Sequence, residues 1–199
     1  MRCLHPPAGT GEQVPGKAKN FYLYCMKNKW NRIVIVLVIM AANIGLDQWT
    51  KVWARQTLQY RPSRSYWDDF FRLVYVENKG AFLSLGSDLS EDVRMAILHF
   101  FPAVLLAVLT VYVMLSKALN KWQIVGMSFI VGGGISNVFD RILYAQVTDF
   151  MNMGLFGLRT GIFNFADVSI MVGLAIMLPF ALQKDPTPLP VDVEVEEKD

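Results

Sequence analysis

An all-α membrane bundle of four transmembrane helices, with a small extracytoplasmic β-subdomain between helices 1 and 2, is the fold class this sequence predicts. Three observations carry the prediction. Of 199 residues 53% are apolar and mean hydropathy is positive at +0.32, which belongs to membrane chains. Uncharged runs of spanning length lie between basic residues. Between the first two runs a stretch mixes aromatic and β-branched residues with polar ones, as short strands do.

The elements follow in order. Residues 1–31 form a polar tail, first rich in Gly and Pro and then basic through Lys17, Lys19, Lys27 and Lys29. No short apolar core with a cleavage site opens the chain, so the tail is not read as a signal peptide. The apolar run 33–46 is too short for a bilayer core of about 30 Å, and it spans only if the helix continues through Asp47, Lys51 and Arg55. These three recur every fourth residue, share a face and can pair along it, unless they are charges snorkelling at the interface. Residues 95–116, 122–144 and 161–183 supply three further spans. The β-subdomain falls at about 60–90, and the membrane core occupies 32–183. Residues 184–199, with Pro186, Pro188 and Pro190 before alternating Val and acid, read as a disordered acidic tail. The basic N-terminus and the Lys117 to Lys121 connection put both termini in the cytoplasm.

Composition excludes several classes of function. A net charge of +2 offers no clustered basic surface for nucleic acid. Cys3 and Cys25 both precede the first apolar run and suggest no disulfide framework. His5 and His99 are too few for a zinc site, so neither a metal nor another cofactor is expected. No internal repeat of the kind found in duplicated transporters is evident.

The chemistry concentrates in the second half. Gly132, Gly133 and Gly134 remove side-chain bulk and let a neighbouring helix or ligand approach; in a membrane helix this is most often packing alone. Asn137 and Arg141 follow on one face, with Asp140 in reach of Arg141 or Lys51 as an ion-pair partner. Asp149 is expected near the outer end of the third helix, and Asp167 a little over one turn into the fourth. A short excursion between them, with Met151, Met153, Leu155 and Phe156, suits a segment at the interface. Carboxylates against hydrocarbon are costly and read as functional. For either Asp alone, capping or a structural hydrogen bond is as good a reading as catalysis; the pair makes the stronger case for acid/base work.

Four blocks then resemble those of the bacterial lipoprotein signal peptidases (signal peptidase II): residues 47–51 (DQWTK), 77–82 (ENKGAF), 133–141 (GGISNVFDR) with 147–150 (VTDF), and 163–167 (FNFAD). The resemblance covers about 33–182. It implies four helices with an extracytoplasmic sheet and a catalytic pair, Asp149 and Asp167. Asn78, Gly80, Asn137, Arg141 and Asn164 are implied to bind substrate or shape the site, with Asp47, Lys51, Asp140 and Ala166 as structural support. The reaction implied is hydrolysis of a prolipoprotein immediately before a diacylglyceryl-modified cysteine, at the outer face of the bacterial inner membrane. Prolipoproteins and membrane lipids are then the partners, with no obligate protein partner. Family members commonly carry Gly where this chain has Ser136, and often Ala at the position of Phe82.

Three rival readings are weaker. A proton-relay transporter would continue its polar residues toward the cytoplasm, where 104–109 and 171–178 are almost wholly apolar. A lipid-binding subunit would make the glycines packing and the acids structural. A serine intramembrane protease lacks a nucleophile set opposite His99.

Overall fold

The computed structural model describes residues 15–80 and 90–182, with backbone alone over 15–28 and at 91 and 94. Cys3, His5, Phe82 and the acidic C-terminus lie outside the described residues. Helix α1 (Pro15–Leu58) runs 44 residues, so it begins inside the segment read as a tail. Proline suits a helix's first turn, where its missing N–H has no partner to lose. After strands β1 (Arg64–Tyr66) and β2 (Phe71–Asn78) the chain re-enters the bundle through α2 (Glu91–Met95), a π-turn at Ala96–Phe100 and α3 (Phe101–Leu115). Pro102 explains the widened turn: its ring crowds the carbonyl four residues back, at Leu98 within the π segment. Helix α4 (Lys121–Tyr144) starts on a capping box of Asn120 and Gln123 and stops at Ala145 in the left-handed conformation, φ 57°.

Three helical stretches, Lys29–Leu58, Ala96–Leu115 and Lys121–Tyr144, are long and apolar enough to cross a membrane. Helix α5 (Phe165–Ala181) is apolar but shorter, 17 residues. It starts four residues later than the span read at 161–183, because Asn164 caps it and Phe163 is bridged to Met151. The bundle is inverted relative to a water-soluble one. Val38, Val104, Val108, Met171 and Leu178 face outward, while Asp47, Lys51, Asp140 and Asn164 are fully buried.

The three glycines divide the packing among them. A Cβ on Gly132 would lie 3.2 Å from the Met40 Cα of α1, one on Gly133 2.4 Å from the Ala166 carbonyl of α5, and one on Gly134 2.7 Å from Leu106 of α3. Helix α4 therefore meets three neighbours at one level through consecutive residues.

The sheet corrects the sequence reading in position and membership. Its order is β1-β2-β3-β4, where β3 (Val147–Leu155) and β4 (Leu158–Arg159) come from the excursion after α4. Only half of the sheet lies between the first two helices. Residues read as an interfacial segment instead pair antiparallel with β2, which satisfies their backbone N–H and C=O groups. Asp149 is consequently on a strand, opposite Val76, and not at a helix end. The sheet seats on the end of α1 through Ala54, Leu58, Phe150 and Met151.

Candidate active site

The bundle's polar interior is built outward from Lys51. Its ammonium lies 2.7 Å from Asp47 Oδ2 and 2.8 Å from Asp140 Oδ2 as ion pairs, and donates to Asn137 Oδ1 at 2.8 Å. Lys51, Asp47 and Asp140 are all 0% exposed, which rules out snorkelling. The expected pairing along α1 stops at Lys51: Arg55 donates instead to Thr148 Oγ1 at 2.9 Å and lies over the Tyr144 ring. Asp140 pairs with Lys51 and not with Arg141, which sits one residue on and points to a different sector of the helix.

Asp47 reaches beyond this cluster. Its Oδ1 accepts the Ala166 backbone N–H at 2.8 Å, one of the orphan donors at the start of α5. Its Oδ2 accepts from Ser136 Oγ at 2.8 Å. Gln48, quoted in the DQWTK block but given no role there, donates to Asp140 Oδ1 at 2.8 Å and to Ser136 Oγ at 3.1 Å. Its place beside Asp47 on a helix that turns a polar face inward was the available signal.

Asp149 and Asp167 are joined through Asn164. The Asn164 amide donates to Asp149 Oδ1 at 2.6 Å, and its backbone N–H donates to Asp167 Oδ2 at 3.0 Å. Asn164 Oδ1 in turn accepts the Asp167 N–H at 3.0 Å, completing a capping box. The other carboxylate oxygens accept from Asn78 Nδ2 (Asp149 Oδ2, 3.0 Å) and Asn137 Nδ2 (Asp167 Oδ1, 2.9 Å). Asn78 Oδ1 receives the Gly80 N–H at 3.0 Å, while the Gly80 carbonyl accepts from Arg141 Nη2 at 3.2 Å. Every residue assigned to the site from sequence is thus in one connected region.

Asp149 is only 4% exposed. Burial pushes its carboxyl up to about 6; the Asn78 hydrogen bond opposes the rise and the nearby Asp167 charge adds to it. A cavity of about 50 Å³ opens between the two acids, with Asn78, Asn137, Arg141 and Asn164 in its wall. A larger cavity of about 490 Å³ continues from Asp149 along one face of the sheet. Together they form a water-sized space between two carboxylates and a trough long enough for a chain.

Sequence and fold comparisons place the chain among known proteins. The family model described as "Signal peptidase (SPase) II" matches residues 38–183. A lipoprotein signal peptidase of Oleidesulfovibrio alaskensis is 36% identical over 143 residues, covering 71% of this chain and 90% of the relative. The lipoprotein signal peptidase of Gloeobacter violaceus is 33% identical over 166 residues, covering 82% of this chain and 88% of its own. Among solved structures, a bacterial membrane enzyme determined by the in meso method at 1.9 Å resolution superposes with a TM-score of 0.66 at 26% identity, covering 76% of this chain and 94% of that one. With a family model matched over most of its length and relatives covered almost end to end, the chain belongs to the signal peptidase II family, a multi-pass membrane peptidase that removes signal peptides from prolipoproteins.

Proposed function

We propose that the chain is an aspartyl endopeptidase that cuts diacylglyceryl-modified prolipoproteins immediately before the lipidated cysteine, with Asp149 and Asp167 activating water. One observation carries this reading: both carboxylates are held by the same residue, Asn164, beside a small shared cavity, and their hydrogen bonds come from neutral amides. Two close, largely buried acids cannot both ionise cheaply, so the pair holds one proton. The ionised member takes a proton from water as the oxygen attacks the scissile carbonyl. The protonated member donates a hydrogen bond to the developing oxyanion and then assists the departing amine. The two titrations belong to the pair and not to either residue alone.

The remaining residues position these two. Asn137 and Asn164 fix the carboxylate planes, Asn78 and Gly80 present backbone and amide groups to substrate, and Arg141 braces the Gly80 carbonyl. Asp47, Lys51, Asp140 and Ala166 hold α1, α4 and α5 in register beneath the site. In this reading α5 is a fourth crossing, supported by its outward Met171, Leu174 and Leu178. Residues 1–31 and 184–199 are cytoplasmic tails, and the sheet and both acids lie at the outer face of the bacterial inner membrane. No cofactor and no obligate protein partner enter the scheme.

The lipid is central to the test. Acids at the membrane surface meet a scissile bond only if the substrate is held at that depth, and two acyl chains hold it there. That remote binding energy positions the reacting carbonyl. Initial rates on matched lipidated and unlipidated precursors in one detergent are expected to differ by at least a hundredfold, with product mass showing release at the cysteine. Equal rates would overturn lipoprotein specificity, and no release from either would overturn the peptidase reading.

A further inference from the structure

The larger cavity is a trough with unlike ends. Along β2 the residues Arg72, Val74, Val76 and Asn78 line it in succession, across a bulge between Leu73 and Val76 where β2 carries one residue more than β3. Asp149 stands beside Asn78 at one end, while Arg72 and Arg159 stand at the other. Six residues of bulged strand separate Asn78 from Arg72, a run of at most about 20 Å. The floor between is apolar, from Val74, Val76 and Ile162.

The far end carries surplus positive charge. Arg72 donates through both Nε and Nη2 to Asp69, and Arg159 Nη1 donates to the same carboxylate at 2.9 Å. Two guanidiniums thus share one anion, leaving a net charge of about +1 by Coulombic count. Asp69 stays ionised throughout the working pH range, since the Arg72 hydrogen bonds, with Ser65 assisting, hold its carboxyl at about 2. The cluster is also fixed in place. Arg159 Nε donates to Asn152 Oδ1 at 2.6 Å, and Asn152 lies opposite Arg72 across the sheet. Arg72, Arg159 and Asp69 retain 40%, 26% and 42% of their side-chain exposure, so an incoming anion can reach them.

We propose that this trough receives the substrate segment following the lipid-bearing cysteine, and that Arg72 and Arg159 select for an acidic side chain between about the fourth and seventh residue after it. The inference rests on the proposed function. A signal peptide's apolar core belongs beside the apolar spans, whereas the sheet stands outside them, so the polar mature side is the part that crosses β2. A chain extended at about 3.3 Å per residue covers the distance from Asp149 to the guanidiniums in about six residues. Recognition of a carboxylate by a partly exposed pair of guanidiniums tunes binding modestly and leaves the bond-breaking step alone.

The test uses full-length protein in detergent at low ionic strength and three lipidated precursors that differ only in carrying Glu, Gln or Lys at those positions. KM is expected to be about three- to tenfold lower for Glu than for Lys, with equal kcat and a difference that shrinks as salt is added. Arg72→Gln should flatten the preference and Arg72→Glu should reverse it, each with cleavage of the Gln precursor kept. Arg159→Gln serves as the second variant should Arg72→Glu fail to fold. Equal KM for all three precursors on the wild-type protein would overturn the inference while leaving the peptidase reading intact. A preference that survives in both Arg72→Gln and Arg159→Gln would also overturn it, as would one that appears only when the charge is moved to the signal-peptide side. Cleavage of none of the three would instead sink the proposed function, and this inference with it.

Discussion

Two pairs of carboxylates lie close together in this bundle and differ in what faces them. Asp47 and Asp140 share the Lys51 ammonium at 2.7 and 2.8 Å. Asp149 and Asp167 share Asn164, and the amides of Asn78 and Asn137 donate to their other oxygens. The first pair is compensated by a cation and spends its remaining oxygens on structure, the N-terminus of α5 and the Ser136 hydroxyl. The second is held in orientation by amides, with Arg141 in the cavity wall and not in direct ion-pair contact, and its Asp149 carboxyl is pushed up to about 6 by burial. Asn137 stands between them, accepting from Lys51 at 2.8 Å and donating to Asp167 at 2.9 Å. Orientation without neutralisation is what acid/base work requires, because a group pinned by a cation gives up the affinity for protons it must use.

The largest expected effect tests that contrast directly. Asp149→Asn and Asp167→Asn each keep the size and polarity of the side chain but remove the exchangeable proton site. Each should lower turnover at least a thousandfold while thermal unfolding in detergent stays within a few degrees. Asp140→Asn should differ in kind, losing stability before it loses chemistry. A folded and inactive Asp140→Asn beside an active Asp149→Asn would exchange the roles of the two regions. Lys51→Met sharpens the same point from the other side. It strands two buried carboxylates, and breaking a buried ion pair on one side costs about 3–5 kcal/mol. Denaturation midpoints should show that loss, and an unchanged midpoint would mean that the ammonium contributes nothing net to the stability of this cluster.

A third prediction concerns pH. The Asp149 carboxyl holds its proton more tightly in the folded chain than in the unfolded one. Between about pH 4 and pH 6 the native state therefore binds more protons, and stability falls as pH rises across that window, by up to about 3 kcal/mol. Asp149→Asn should lose this slope and be at least as stable as wild type at pH 7. A slope that persists in the variant would place the titration on another group.

The polar positions that cluster in the bundle were legible where local pattern carries them: Asn164 and Asp167 form a capping box at the start of α5, and Asp47 and Lys51 sit four apart on one face of α1. Placement of Asp149 was less legible. The run from 147 to 155 is apolar enough to pass for an interfacial segment, and only its pairing with β2, far away in the chain, makes it a strand. Local pattern carries helix faces and caps, whereas strand partners depend on contacts that no local window contains. The same limit hid the trough, since Arg72 and Arg159 come together only through the sheet.

The smallest expected effect falls on Ser136. Its hydroxyl donates to Asp47 Oδ2 at 2.8 Å and accepts from Gln48 at 3.1 Å, entirely out of solvent. Lys51 still holds the same Asp47 oxygen, and Gln48 still reaches Asp140, so losing the hydroxyl leaves no orphaned charge. Ser136→Ala should therefore cost only about 1–2 kcal/mol, as one buried hydrogen bond to a charged group does. Ser136→Gly should cost a further 0.5–1 kcal/mol or so for backbone freedom in α4. Neither should change turnover by more than about twofold, because the Asp47 Oδ1 bond to the Ala166 N–H is untouched and α5 keeps its position. Measuring unfolding and turnover on the same preparations separates the outcomes. A tenfold fall in kcat with an unchanged unfolding midpoint would mean that the hydroxyl acts through Asp47 on the helix carrying Asp167, and that the cation-compensated region tunes the catalytic one instead of only supporting it.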